Sequence, residues 1–336
     1  MSAGPGRAAR RRARRPPPPL SQRDGLDPVH HRLGPADPGV GATALAALAA
    51  RFPPLLDPAA TPLAQRFAAG EVVDAHGVPW TAGQTVRAGD ELWFHREPAP
   101  EDVPDISLSV LLHDEHLLVI DKPPGVATMP RGAHVFGSAL VRLRRATGIT
   151  ALSPVHRLDL PTRGVLAFSV MPTERAAYQQ LFARGEVAKE YRARVVPAPG
   201  ADLPAAVGER TVLADRLEKT RGVHRTDVVA GAPNAVTEVE LLAIGSDGTR
   251  LLSLRPRTGR THQLRAQLAA RGAPILGDEL YRDEPGGTSR APGQVPDIPG
   301  QGLQLLARRL AFHDPVTGQE RSLTSAQDLD HGPTGR

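Results

Sequence analysis

At 336 residues the chain has room for one large domain or two modest ones, and its 40% apolar content supports a sizeable core filled mostly by aliphatic side chains, because aromatics make up only 4%. The absence of cysteine excludes disulfides, cysteine-ligated zinc and thiol nucleophiles. The net charge of +5 invites a nucleic-acid reading, but the six arginines of the first twenty residues account for it, and without them the balance is −1.

Lysine occurs only at positions 122, 189 and 219. With Ala, Gly, Pro and Arg abundant, arginine count by itself says little about function. No stretch approaches the roughly 18 apolar residues of a membrane span. The composition is compatible with the cytoplasm, which is the expected location.

In chain order, residues 1–36 read as a disordered tail, with an arginine run and then four consecutive prolines, Pro16 to Pro19. Residues 38–97 read as a small compact unit. A helix is expected over 42–52, ended by Pro53 and Pro54, and a second over 63–69, closed by Gly70. Strand-like pieces follow in "EVVDAHG", "VPWTAGQTV" and "GDELWFHRE". The Pro- and acid-rich "PAPEDVPD" marks a linker over 98–105. From about 106 the pattern changes. "LSVLLHDEHLLVIDKPPG" predicts two strands around a turn at 113–115. Ser138 heads a predicted helix over 139–146, with Gly148 past its end. Residues 165–170 predict a buried strand. A helix starting near Thr173 would present Ala177, Leu181 and Phe182 on one face. "EYRARVV", "VTEVELLAI" and "RLLSLRP" predict strands, "THQLRAQLAARG" a helix, and "LQLLARRLAF" a late strand before a turn at 314–318. Residues 197–234 resist assignment. Residues 106–325 therefore read as one α+β domain with a mixed, largely antiparallel sheet and flanking helices. Residues 326–336 read as a tail.

Three stretches carry candidate chemistry. In "HRLDLPTRG" (156–164), Asp159 lies between Arg157 and Arg163. Opposite charge favours the ionised carboxylate, which suits a nucleophile or a base. Taken alone, the stretch fits an Asp cap or a loop ion pair better than a site. In "KEYRARVV", Lys189 and Tyr191 share a strand face by period two. Tyr191 could stack on a base while offering a hydroxyl, or simply belong to an amphipathic edge strand. In "RLLSLRPRTGRTHQLRAQLAAR", six arginines (250, 255, 257, 260, 265, 271) occur with no intervening acid. They could meet phosphate oxygens near a helix N-terminus, or form an exposed face of compositional origin. No phosphate-binding loop, metal-ligand spacing or serine-hydrolase elbow is present.

In order and spacing these stretches resemble the RluA-type family of pseudouridine synthases. "HLLVIDKPPGVATMP", "HRLDLPTRGVLAFS", "FARGEVAKEYRA", "RPRTGRTHQLRAQLAARGAPILGDELY" and "LQLLARRLAFHDPVTGQ" follow the family's motifs in sequence across about 106–325. The resemblance implies the pseudouridine synthase fold and conversion of uridine to pseudouridine in rRNA or tRNA. It needs no cofactor and no metal. It implies that Asp159 is the catalytic carboxylate, that Tyr191 stacks on the target base and takes part in deprotonating C5, and that Arg265 ion-pairs with the aspartate. Arg157 would help hold the flipped nucleotide. The RNA-facing set is expected to be Arg157, Arg163, Lys189, Arg257, Arg260, His262 and Gln263. Arg163 stands where Ser or Ala is usual, Asp121 where Asn is common, and Gln267 where His is common. The 38–97 unit resembles, in degenerate form, the small ribosomal-protein-like RNA-binding module that precedes many family members. The expected partner is RNA, without membrane attachment, and the chain is expected to be a monomer. The competing expectation is a non-catalytic RNA-binding or ribosome-assembly factor on the same fold. The joint presence of Asp159, Tyr191 and Arg265 favours the enzyme.

Overall fold

The computed structural model describes residues 18–281 and 302–329. The arginine run, within residues 1–17, lies outside the described residues. The chain divides into two compact units, residues 1–101 and 102–336.

In the first unit, β1 (Val29–Arg32) pairs antiparallel with β2 (Glu91–Phe94). Between them lie α1 (Ala44–Arg51) and α2 (Leu63–Ala68). The α1 N-terminus is capped by the Thr43 hydroxyl, which accepts from the Ala46 amide at 3.2 Å. Leu33, Leu48, Phe67, Val72, Val86, Leu92 and Phe94 form its core. Reading all of 1–36 as disordered is therefore corrected: β1 is a strand of this unit, and Leu33 is buried in its core. The strand signal was masked by Pro, Gly and His around a single four-residue run. "EVVDAHG" and "VPWTAGQTV" form isolated bridges, such as Val73 with Pro79, rather than named strands.

The second unit contains β3 (Ser109–His113), β4 (Leu117–Lys122), α3 (Ala139–Thr147), β5 (Ser153–Pro154), β6 (Arg163–Ser169), α4 (Arg175–Ala183), β7 (Ala188–Val195), β8 (Arg210–Glu218), β9 (Asp227–Val229), β10 (Ala235–Ile244), β11 (Arg250–Pro256), α5 (Gln263–Ala269), β12 (Leu305–His313) and β13 (Glu320–Thr324). Among the described residues they build an eleven-stranded sheet in the order β3-β4-β6-β12-β7-β11-β10-β8-β9, with β5 added to β6 and β13 to β12. Every pairing is antiparallel except β6 with β12. The fold is the expected mixed, largely antiparallel α+β sheet.

Alternation along β4 explains why the strand is buried throughout. Leu118 and Ile120 face the cluster under α3, whereas Leu117 and Val119 face the cluster under α4. On the expected α4 face Leu181 is buried and Phe182 packs beside it, with Tyr178 rather than Ala177 as the third member. Tyr178 and Leu181 are the buried pair, and the Tyr178 hydroxyl donates to Asp314 Oδ1 at 2.9 Å. Residues 326–329 are not a free tail. The amides of Ala326 and Gln327 donate to the buried Asp121 carboxylate, as do the side chains of Ser325 and Gln327, and Leu329 is buried. Asp121 can accept all of these because a carboxylate is acceptor-only.

Candidate active site

The loop between β5 and β6 carries Asp159, and its neighbours on both sides are fixed from the turn after β4. The Thr128 hydroxyl donates to Leu158 O at 2.9 Å and accepts from Leu158 N at 3.1 Å. The fully buried Lys122 donates from Nζ to the carbonyls of Pro123, Val126 and Leu160 at 2.9, 2.8 and 3.1 Å. Three carbonyls match the three N–H groups of an ammonium. Burial pushes this ammonium down to about 7, with Asp159 pulling the other way. The loop then closes on itself, with Thr162 N donating to Asp159 O at 3.1 Å.

Two more elements converge on Asp159. From α5, Arg265 Nη1 donates to Asp159 Oδ2 at 3.3 Å. His262, at the start of α5 with a left-handed φ of 53°, brings Nε2 to 3.7 Å from the same oxygen. Burial holds His262 down to about 4, against the attraction of Asp159, so the ring is neutral at physiological pH. Among the described residues the side-chain contacts of Asp159 all fall on Oδ2. From β7, Tyr191 packs between the cluster under α3 and the cluster under α5. Burial, and then the Asp159 charge, raise its phenol above the ordinary range, so the hydroxyl stays protonated. A neutral phenol can accept a proton only by passing its own proton on in the same step.

Asp159, Arg157, Lys189, Tyr191, His262 and Arg265 line one cleft of about 150 Å³. The expected catalytic trio therefore converges from three separate elements. Arg157 is exposed at the cleft, and Lys189 Nζ donates to Thr258 O at 3.1 Å.

Two expected RNA contacts are placed otherwise. Arg163 is buried at the start of β6 and donates to Asp328 O at 3.2 Å, so it holds the C-terminal segment rather than facing RNA. Gln263 is buried as well. Its amide donates to Val236 O and Thr237 Oγ1, and its carbonyl accepts from Thr258 Oγ1 and Arg260 N. It braces the loop before α5. Gln267 is likewise internal, accepting from Thr237 Oγ1 at 2.7 Å and donating to Asp215 Oδ2 at 2.8 Å. The arginines between 250 and 271 are largely matched by acids from neighbouring strands. Arg255 meets Glu240, Arg257 meets Glu238 and Arg271 meets Asp215. Arg257 and Arg260 are nonetheless exposed, and Arg260 Nε donates to Asn234 O at 3.2 Å.

The RNA pseudouridylate synthase family profile matches residues 116–270. The dual-specificity RNA pseudouridine synthase RluA of Haemophilus influenzae is 31% identical over 223 residues, covering 66% of this chain and 94% of that protein. The Escherichia coli K12 protein of the same name is 33% identical over 228 residues, with the same coverage. The chain belongs to the RluA-type family of RNA pseudouridine synthases. A Xanthomonas campestris relative, ribosomal large subunit pseudouridine synthase D, is 32% identical over 70% of each chain. The human RNA pseudouridylate synthase domain containing 1 structure aligns with a TM-score of 0.52 at 21% identity, covering 68% of this chain and 86% of that one, and shares the fold.

Two features of this synthase were not singled out from sequence. Asp278 grips Arg265 from behind, and Lys122 with Thr128 fixes the aspartate loop. Both lie inside quoted motifs ("LGDELY" and "DKPPGVAT"), but their partners are distant in sequence and become visible only in the fold.

His156, three residues before Asp159, is a support. Its Nε2 accepts from Ala167 N at 3.1 Å, and its ring stacks on Phe182 at 4.6 Å. Burial, reinforced by Lys189, lowers it to about 3 from an ordinary 6.5. The unfolded chain therefore binds one more proton than the folded chain between those values. Stability from this group is complete above 6.5 and is lost as pH falls toward 3, at up to about 1.4 kcal/mol per pH unit. Urea midpoints measured from pH 7 to pH 4 are expected to fall more steeply for wild type than for His156→Gln. Equal slopes would remove His156 as a cause.

Proposed function

We propose that this chain isomerises specific uridines of rRNA or tRNA to pseudouridine, with Asp159 as the reacting carboxylate. The observation that carries this reading is the single cleft in which Asp159, Tyr191 and Arg265 meet. The reaction breaks the bond between N1 and C1′, turns the uracil, and joins C5 to C1′. The C5 proton leaves and N1 ends protonated, so atoms and electrons balance without an external reagent.

The target base must leave its stack to reach the cleft. Asp159 Oδ1 acts at the sugar, while Arg265 holds Oδ2. Tyr191 provides a flat, largely apolar wall for the detached uracil, and such a wall keeps solvent from the cleaved sugar. Exposed Arg157 and Arg260, together with Lys189, supply positive charge at the cleft for backbone phosphates. Relatives named for dual specificity and for the large ribosomal subunit support rRNA and tRNA as the substrate classes. The 38–97 unit is read as a degenerate RNA-binding module. The cleft is lined by residues of one chain, and the protein is read as a cytoplasmic monomer.

Carbodiimide mapping of pseudouridines in total rRNA and tRNA, with and without the gene, tests the proposal. Loss of one or a few defined sites is the expected result. Unchanged maps in both pools would favour a non-catalytic RNA-binding factor.

A further inference from the structure

The Arg265 guanidinium is not devoted to Asp159. Its Nε donates to Asp278 Oδ2 and its Nη2 to Asp278 Oδ1, both at 2.7 Å, whereas the bond from Nη1 to Asp159 is 3.3 Å. The Asp278 side chain is 0% exposed. The two-pronged contact fixes the plane and rotation of the guanidinium, which a single bond could not do. Asp278 is itself fixed, because Oδ1 also accepts from the amides of Leu280 and Tyr281 at 3.1 and 3.3 Å. The Tyr281 ring lies 5.3 Å from the Arg265 guanidinium carbon. Burial works against the charge on Arg265, but the bonds and charge of Asp278, with Asp159 behind them, more than offset it and raise its pKa.

We infer that Asp278 is a positioning residue: its buried carboxylate clamps Arg265 so that only Nη1 is presented to Asp159. This rests on the reading of Asp159 as the reacting group. The clamp has two consequences. It sets where Asp159 Oδ2 sits, and so where Oδ1 meets the sugar. It also draws much of the guanidinium's charge to Asp278, leaving Asp159 a less neutralised carboxylate. Asp278 is not among the residues lining the cleft and makes no bond to Asp159, so it acts through Arg265.

Asp278→Asn keeps an oxygen for the two amides but puts an NH₂ against one prong of the guanidinium. Steady-state kinetics on rRNA and tRNA from a strain lacking the gene should show kcat reduced on the order of 10²-fold, as expected for misplaced reacting groups, with KM within about threefold of wild type. If Asp278 acts through Arg265, Asp278→Asn combined with Arg265→Gln should be no slower than Arg265→Gln by more than about threefold. An unchanged kcat, a rise in KM alone, or a further tenfold loss in the double variant would overturn the inference. Should Asp278→Asn fail to fold, the double variant removes both buried charges together. If folded with the activity of Arg265→Gln it supports the clamp, and if unfolded it overturns it. Asp159→Asn run in parallel separates the two levels. An active Asp159→Asn sinks the reading of the site, whereas an inactive one beside a wild-type-like Asp278→Asn sinks only the clamp.

Discussion

Asp159→Asn is expected to reduce turnover by about 10³-fold or more, the scale on which a positioned reacting group contributes, while RNA affinity stays within about threefold. The substitution changes little besides charge. The bonds that fix the loop run through the backbone of Leu158, Asp159 and Leu160, through Thr128 and through Lys122, so they survive. An asparagine oxygen can still accept from Arg265 Nη1. What disappears is the anionic oxygen that, in the proposed reaction, acts at C1′ or on a sugar proton. Binding should hold because an acidic side chain repels phosphates, and Arg157, Lys189 and Arg260 remain. The neighbouring Lys122 ammonium loses an opposing charge, so circular dichroism must accompany the kinetics. Release of tritium from C5-labelled uridine reports the reaction directly, since C5 gives up its hydrogen when it joins C1′. Retention of a tenth of wild-type activity would remove Asp159 from the centre of the mechanism.

The parts of this architecture governed by local pattern were legible. Gly148 follows α3 in a left-handed conformation common at helix ends, and β10 carries the buried/half-buried alternation that "VTEVELLAI" marks. What was not legible depends on partners far away in sequence. The arginine run from 250 to 271 reads as a basic patch because the matching acids, Glu238, Glu240 and Asp215, lie on β10 and β8. Strand β8 itself was lost within a Gly- and Pro-interrupted stretch. Arg163 reads as a surface charge because it follows a proline turn, yet its side chain lies under the C-terminal segment. The same limit applies at the cleft. Asp159, Tyr191 and Arg265 were identified by the order of their motifs, whereas Asp278 required the geometry around Arg265.

Gly164→Ala is expected to destabilise the second unit by roughly 2 to 6 kcal/mol, combining overpacking with a strained backbone. A loss of that size is large against a typical stability of about 5 to 15 kcal/mol. Gly164 has φ of 114°, and a Cβ there would collide with Ala307 O and lie 2.8 Å from Ala307 N and C. These are backbone atoms of β12, so no side-chain rotation can relieve the clash. The position is also the join of the sheet. Gly164 lies opposite Ala307 in the parallel β6–β12 pair and opposite Lys122 in the antiparallel β6–β4 pair. Pushing β12 away separates the half of the sheet that carries Asp159 and Lys122 from the half that carries Tyr191 and Arg265. Any folded fraction should therefore be nearly inactive, because a displacement of about 1 Å at reacting groups costs on the order of 10²-fold. Gly302→Ala is the control, since a Cβ there meets nothing within 4 Å among the described residues and its φ is not positive. Thermal melts should show a large drop for Gly164→Ala and little change for Gly302→Ala. If the two variants melt together, β6 and β12 do not approach as closely as this, and the glycine closing "HRLDLPTRG" serves the chemistry in some other way.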